Sequence, residues 1–168
     1  ALPPLRQALS DFAFRAMESL RKENLYTGRV TVYLRTAPMG KPQQLFPDTL
    51  SAALSPATAD TRVVVHQALA LLAQLWKPGY RYGKAGVILT DLRGRDQIQD
   101  GLFAQQGEPD DRGNALMTVM DTINQSGAGK VWLAGRGMQT DQRSAWAMRR
   151  AHLSPAYTSR WCDLPVAR

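Results

Sequence analysis

The chain has 168 residues, 44% of them hydrophobic and 21% charged, a balance that suits one ordinary domain or two small ones and excludes a disordered polyelectrolyte. No apolar run approaches the roughly 20 residues that cross a bilayer, and the opening A-L-P-P-L-R-Q has neither the basic nor the apolar region of a secretory leader. Cys162 is the single cysteine, which forbids an internal disulfide and fits a reducing, cytoplasmic setting.

The net charge of +7 is unevenly spread. Residues 1–95 carry 13 Lys and Arg against 6 Asp and Glu, and residues 96–168 carry 8 of each. Within the second part, residues 96–128 have 1 basic and 6 acidic side chains, whereas residues 129–168 have 7 basic and 2 acidic. A basic first part, an acidic connector and a basic tail are expected to meet different partners.

Pro3 and Pro4 open a helix, because proline in the first turn gives up no needed N–H. Leu5, Leu9, Phe12, Ala16 and Leu20 recur at helical spacing, with Arg6, Arg15, Arg21 and Lys22 expected on the outside. The helix should stop near Asn24, before Gly28. The stretch R-V-T-V-Y-L-R-T, Arg29 to Thr36, then alternates as a strand. Val30, Val32 and Leu34 point to one face, and Arg29, Thr31, Tyr33 and Arg35 to the other. Residues 37–47 read as a loop marked by Pro38, Gly40, Pro42 and Pro47. Thr49 to Leu54 alternates again, with Leu50, Ala52 and Leu54 on one side.

Thr58 or Asp60 can cap the next helix, whose buried stripe is Val64, Ala68, Leu71, Leu72, Leu75 and Trp76. Pro78-Gly79 ends it, and W-K-P-G-Y-R-Y-G-K-A-G-V-I-L, from Trp76 to Leu89, turns into a third strand with Arg81 and Lys84 at its entrance. Ala85, Val87 and Leu89 should face inward, leaving Tyr82, Lys84, Ile88 and Thr90 outward. The order helix, strand, strand, helix, strand predicts an α+β fold, an antiparallel sheet with two helices on one face.

Residues 93–113 are expected to form a Gly-, Asp- and Gln-rich connector with little regular structure, containing Q-D-G-L-F, Gln99 to Phe103. Leu-Phe in a charged segment suits a short linear motif, with Leu102 and Phe103 buried in a partner's pocket and Gln99 fixing register. Beyond it, Asn114 to Gln125 predicts a helix with Leu116, Met120 and Ile123 on one side, and Lys130 to Ala134 a short strand. A helix over 144–153 and a strand-like Y-T-S-R-W follow. Trp132, Trp146 and Trp161 predict a small folded α/β appendage over 114–168.

Catalytic chemistry is not legible. His66 and His152 have no evident ligand partners, Cys162 lacks the neighbours of an activated thiol, and Asp110-Asp111 reads as solvated charge. Gly83-Lys84 is followed by Ala85, where a phosphate loop needs Ser or Thr for Mg²⁺.

R-Y-G-K-A-G-V-I-L resembles the last strand of the little finger DNA-binding domain of Y-family, lesion-bypass DNA polymerases, closest to the UmuC type, the catalytic subunit of bacterial DNA polymerase V. The whole order matches that domain if its first strand precedes Ala1, which would make the chain a fragment with a raw sheet edge. Q-D-G-L-F resembles the sliding-clamp-binding motif of bacterial polymerases. L-M-T-V-M-D-T-I-N and A-H-L-S-P-A-Y-T-S-R look like the C-terminal extension of UmuC-type subunits.

The resemblance implies a little-finger-like domain over 1–92, a linker with a clamp motif over 93–113, and the extension over 114–168. It implies duplex primer-template DNA, the sliding clamp, a UmuD′-like subunit and RecA as partners, SOS mutagenesis as the setting, and a bacterial, nucleoid-associated cytoplasmic location. It also implies that two-metal Mg²⁺ chemistry belongs to a palm upstream, so this fragment carries no cofactor and is inactive alone. Arg29, Arg35, Arg81 and Lys84 would neutralise phosphates while Thr31 and Tyr33 add neutral hydrogen bonds. The competing expectation is an RNA-binding or protein-interaction module with Tyr33 and Tyr82 on the open face.

Overall fold

The computed structural model describes residues 2–36, 48–98, 111–127 and 129–136, together with residues 146 and 162. The elements run α1 (Leu2–Lys22), β1 (Leu25–Thr36), β2 (Asp48–Thr58), α2 (Thr61–Leu75), β3 (Tyr82–Gly94) and α3 (Asp111–Ser126), with short 3₁₀ turns at Arg95–Gln97 and Ala134–Arg136. The three strands form one antiparallel sheet in the order β2-β1-β3. The fold is thus α+β, as the sequence predicts.

β1 is central because its alternation is the cleanest. Val30, Val32 and Leu34 are fully buried and meet Leu9, Ala13, Met17 and Leu20 of α1 and Val64, Ala68, Leu71, Leu72 and Leu75 of α2 in one core. Ala85, Val87 and Leu89 of β3 and Leu50, Ala52 and Leu54 of β2 complete that face. Both helices lie on it, so the other face of the sheet carries no helix among the described residues.

Each junction has a local cause. α1 ends in tight turns, with the Asn24 amide donating to the Arg21 carbonyl at 2.9 Å and Asn24 at φ 54°. Asp60 caps α2, its carboxylate accepting from the Arg62 amide at 2.7 Å, while the Thr58 hydroxyl accepts from the Asp60 amide at 3.0 Å. Asp60 is thus the cap, and Thr58 supports it from outside the helix. Gly79, at φ 86°, makes the turn after α2.

Several expectations need correction. β1 begins at Leu25 and continues through Gly28, where its register against β2 shifts and the chain makes a close approach. A side chain there would overlap the Asp91 carboxylate. β3 extends to Gly94 rather than giving way to a connector near Leu92. A register shift between Arg35 and Thr36 pairs Thr36 with Tyr82 and Arg35 with Lys84, which turns Tyr82 to the core face. Its hydroxyl there accepts from the Lys77 amide at 2.8 Å.

The expected strand Lys130 to Ala134 does not form. The Asn124 carboxamide takes both backbone groups of Val131, donating to its carbonyl at 2.9 Å and accepting from its amide at 2.8 Å, as a neighbouring strand would have done. α3 buries Met117 and Met120, with Leu116 and Val119 exposed, so the predicted stripe is rotated. Gln99, Leu102 and Phe103 lie outside the described residues, as do the predicted 144–153 helix, apart from Trp146, and Y-T-S-R-W.

α1 is covered on a second side. Phe14 packs with Met117, Met120 and Leu133 in a separate cluster. Asp11 pairs with Arg15 and Arg136, Arg136 lies 5.0 Å from the Phe14 ring centroid, and Phe12 meets Trp146 edge-on at 5.6 Å. Arg21, expected on the outside, is instead a mostly buried tie to Asp121.

Candidate nucleic-acid interface

The open face of the sheet is built by strand parity and cross-strand register. β1 offers Arg29, Thr31, Tyr33 and Arg35 there, as predicted. Arg29 sits opposite Ala53 and Thr90, Thr31 opposite Ser51 and Ile88, Tyr33 opposite Thr49 and Gly86, and Arg35 opposite Lys84. Arg81 is exposed and lies immediately ahead of β3. Arg29 lies six residues from Arg35 along β1, or about 20 Å at the rise of an extended strand.

Several cations elsewhere on the chain, though not Arg6 or Lys130, are paired with carboxylates. Arg15, Lys22, Arg62, Lys77, Arg93 and Arg136 each face a carboxylate. Arg29, Arg35, Arg81 and Lys84 are exposed, and none of them forms an ion pair with another described residue. Cations on one sheet face with no carboxylate partner among the described residues create a positive field that favours an anion. Between the charged ends, the Thr31 and Ser51 hydroxyls share a hydrogen bond of 2.8 Å, and Ile88 is 46% exposed.

Tyr33 does not stand up from the sheet. Its ring lies across Gly86 on the neighbouring strand, occupying the space where any side chain would begin. Together with Arg35, Thr49, Lys84 and Ile88 it lines a shallow depression of about 330 Å³. The structure therefore gathers Tyr33, Arg35 and Lys84 at one place, leaves Thr31 and Arg29 toward the other end, and does not bring Arg81 into the depression. Sequence reasoning placed Ile88 outward but missed Gly86 and Thr49 as parts of this surface; the G in K-A-G-V-I was the available signal, since glycine inside a strand marks a close approach. With Tyr82 turned away and Tyr33 lying flat, the two tyrosines do not form a pair of upright rings for stacking bases.

Among the described residues no three His, Cys, Asp or Glu side chains converge into a set that could hold a metal ion. The Mg²⁺ chemistry implied by the resemblance thus has no donor set among them.

The described residues thus form a two-layer α+β unit whose helix-free sheet face presents exposed cations. The sequence comparisons give its family. Residues 2–102 match the impB/mucB/samB family C-terminal domain, and the chain belongs to that family. Residues 114–167 match a domain of unknown function, DUF4113. The chain is 38% identical over 164 residues to Protein SamB of Salmonella typhimurium, covering 98% of this chain and 38% of that protein. It is 37% identical over 166 residues to Protein MucB of Escherichia coli, covering 99% and 38%. It is 35% identical over 161 residues to Protein UmuC of Salmonella typhimurium, covering 95% and 37%. It thus spans less than two fifths of the length of these relatives, and the UmuC-type assignment made from R-Y-G-K-A-G-V-I-L stands. No described helix is long and apolar enough to cross a membrane.

Proposed function

We propose that this chain is the DNA-holding part of an error-prone, translesion DNA polymerase of UmuC type, and that the open sheet face is its little-finger surface for duplex primer-template. The reading rests above all on one observation: Arg29, Arg35 and Lys84 are exposed on the sheet face that carries no helix among the described residues, and none of them forms an ion pair with another described residue. Contacts of this kind grip phosphates and carry no base information, which suits a protein that must hold any template. The polymerase chemistry and its Mg²⁺ belong, on this reading, to the remainder of the parent protein. The connector motif Gln99, Leu102 and Phe103 is assigned to the sliding clamp, and a UmuD′-like subunit and RecA are further partners in SOS mutagenesis.

Lys84→Ala is the direct test. Binding to duplex DNA should weaken alike for all sequences, and the slope of log affinity against log salt should fall by about 1, the signature of one lost phosphate contact. Identical isotherms for the two proteins across a salt series would defeat the assignment. Parallel titrations with single strands and structured RNA at fixed salt separate a duplex-DNA surface from an RNA-binding module. For the motif, Leu102→Ala with Phe103→Ala should abolish capture of the chain by the sliding clamp and leave DNA affinity intact.

A further inference from the structure

On the open face β3 presents Lys84, Gly86 and Ile88 in succession, a run of about 13 Å. The middle position has no side chain, and the gap it leaves is floored by the Tyr33 ring from β1. Two cations that face each other across the strands, Arg35 and Lys84, close one end, and Ile88 closes the other. The Thr49 hydroxyl lies on the far side. A site with cations at one end and an aromatic ring and a branched aliphatic chain at the other matches an amphipathic ligand, charged at one pole and apolar at the other.

We propose that this depression seats one sugar–phosphate unit of a DNA strand, the phosphate between Arg35 and Lys84 and the deoxyribose against Ile88 and the Tyr33 ring. The proposal rests on the DNA-holding reading and adds a register point to it: the strand is held at a shaped seat and not only by diffuse charge. The apolar C2′ methylene of deoxyribose can pack on Ile88, whereas a ribose would press a hydroxyl against it and lose that group's water. Gly86 is the positioning residue, because only its missing side chain lets Tyr33 lie down.

Gly86→Ala separates shape from charge. The three atoms nearest the new methyl all belong to the far end of the Tyr33 side chain, so the ring should lift into the depression while every cation stays. Duplex DNA affinity of the 168-residue chain should then fall about fivefold, the size of roughly 1 kcal/mol of lost contact, with the salt slope unchanged. Tyr33→Ala, which removes the floor, should act in the same direction and serves where Gly86→Ala fails to fold. Ile88→Asn should narrow the preference for a DNA duplex over an RNA duplex of the same sequence; duplex geometry is common to both proteins and cancels in that ratio.

Unchanged affinity in Gly86→Ala and Tyr33→Ala would overturn the seat. So would a loss accompanied by the same slope change as Lys84→Ala, or an unaltered DNA-to-RNA ratio in Ile88→Asn. If Lys84→Ala itself leaves the salt slope untouched, the DNA-holding reading fails and the seat falls with it.

Discussion

Arg21 shows how far one side chain can depart from its place in a sequence pattern. Its guanidinium forks onto Asp121, Nε to Oδ2 at 2.6 Å and Nη2 to Oδ1 at 2.9 Å. Nη1 donates further to the Thr61 hydroxyl at 2.7 Å and to the Ala59 carbonyl at 3.2 Å. The two ionic side chains are only 11% and 15% exposed, so water screens them little. Removing one partner strands the other in a poorly hydrated place. Arg21→Ala should destabilise the chain by about 3 kcal/mol, and Arg21→Lys should recover only part of that, since a point charge cannot form the fork. Urea midpoints at constant m-value measure both. Equal stability of Arg21→Lys and the parent would show that charge alone matters there.

At the scale of elements, legibility followed periodicity. β1 was readable because Val30, Val32 and Leu34 alternate strictly with Arg29, Thr31, Tyr33 and Arg35, and one face is buried and the other bare. α2 was readable because a single apolar stripe faces a single sheet, and Asp60 stands where a cap should. Asp60→Ala should cost about 1–2 kcal/mol in thermal or urea unfolding, from the lost cap on an otherwise 2% exposed carboxylate. Thr58→Ala should cost less, because its hydroxyl supports only the Asp60 amide. α1 was half readable. A stripe search assumes one buried face, and this helix has two: Leu9, Ala13, Met17 and Leu20 toward the sheet, Asp11 and Phe14 toward the C-terminal segment. Lys130 to Ala134 looked like a strand by composition, but whether a strand forms depends on what pairs with it. Asn124 got there first. The site was legible as a set of charges and not as a shape, because the depression depends on Tyr33 crossing to Gly86, a contact between residues 53 positions apart in sequence.

For the molecule as a whole, the question is whether the C-terminal segment is a passenger or part of the fold. Besides Trp146 on Phe12, the segment reaches α1 at three places: Met117 and Met120 on Phe14, Asp121 on Arg21, and Arg136 on Asp11 and over the Phe14 ring. All three lie on the helix layer, away from the bare sheet face, so docking there leaves the cations of that face unobstructed by the described part of the segment. Burial of one aromatic ring and two methionines is worth several kcal/mol by area, about 2 for each such side chain. A buried forked ion pair then fixes the geometry. Coupling of that size compares with the whole stability of a small domain, so the two parts should unfold together. Far-UV circular dichroism and tryptophan fluorescence, the latter weighted to the C-terminal segment by Trp132 and Trp146, should give superimposable urea transitions. Phe14→Ala should pull the two curves apart, with fluorescence moving to lower urea first, because it removes the centre of the contact and spares the Leu9–Val32 core. Two separate transitions in the parent chain would instead mean that the segment is tethered to α1 without being stabilised by it, and would leave the sheet and its two helices to stand alone.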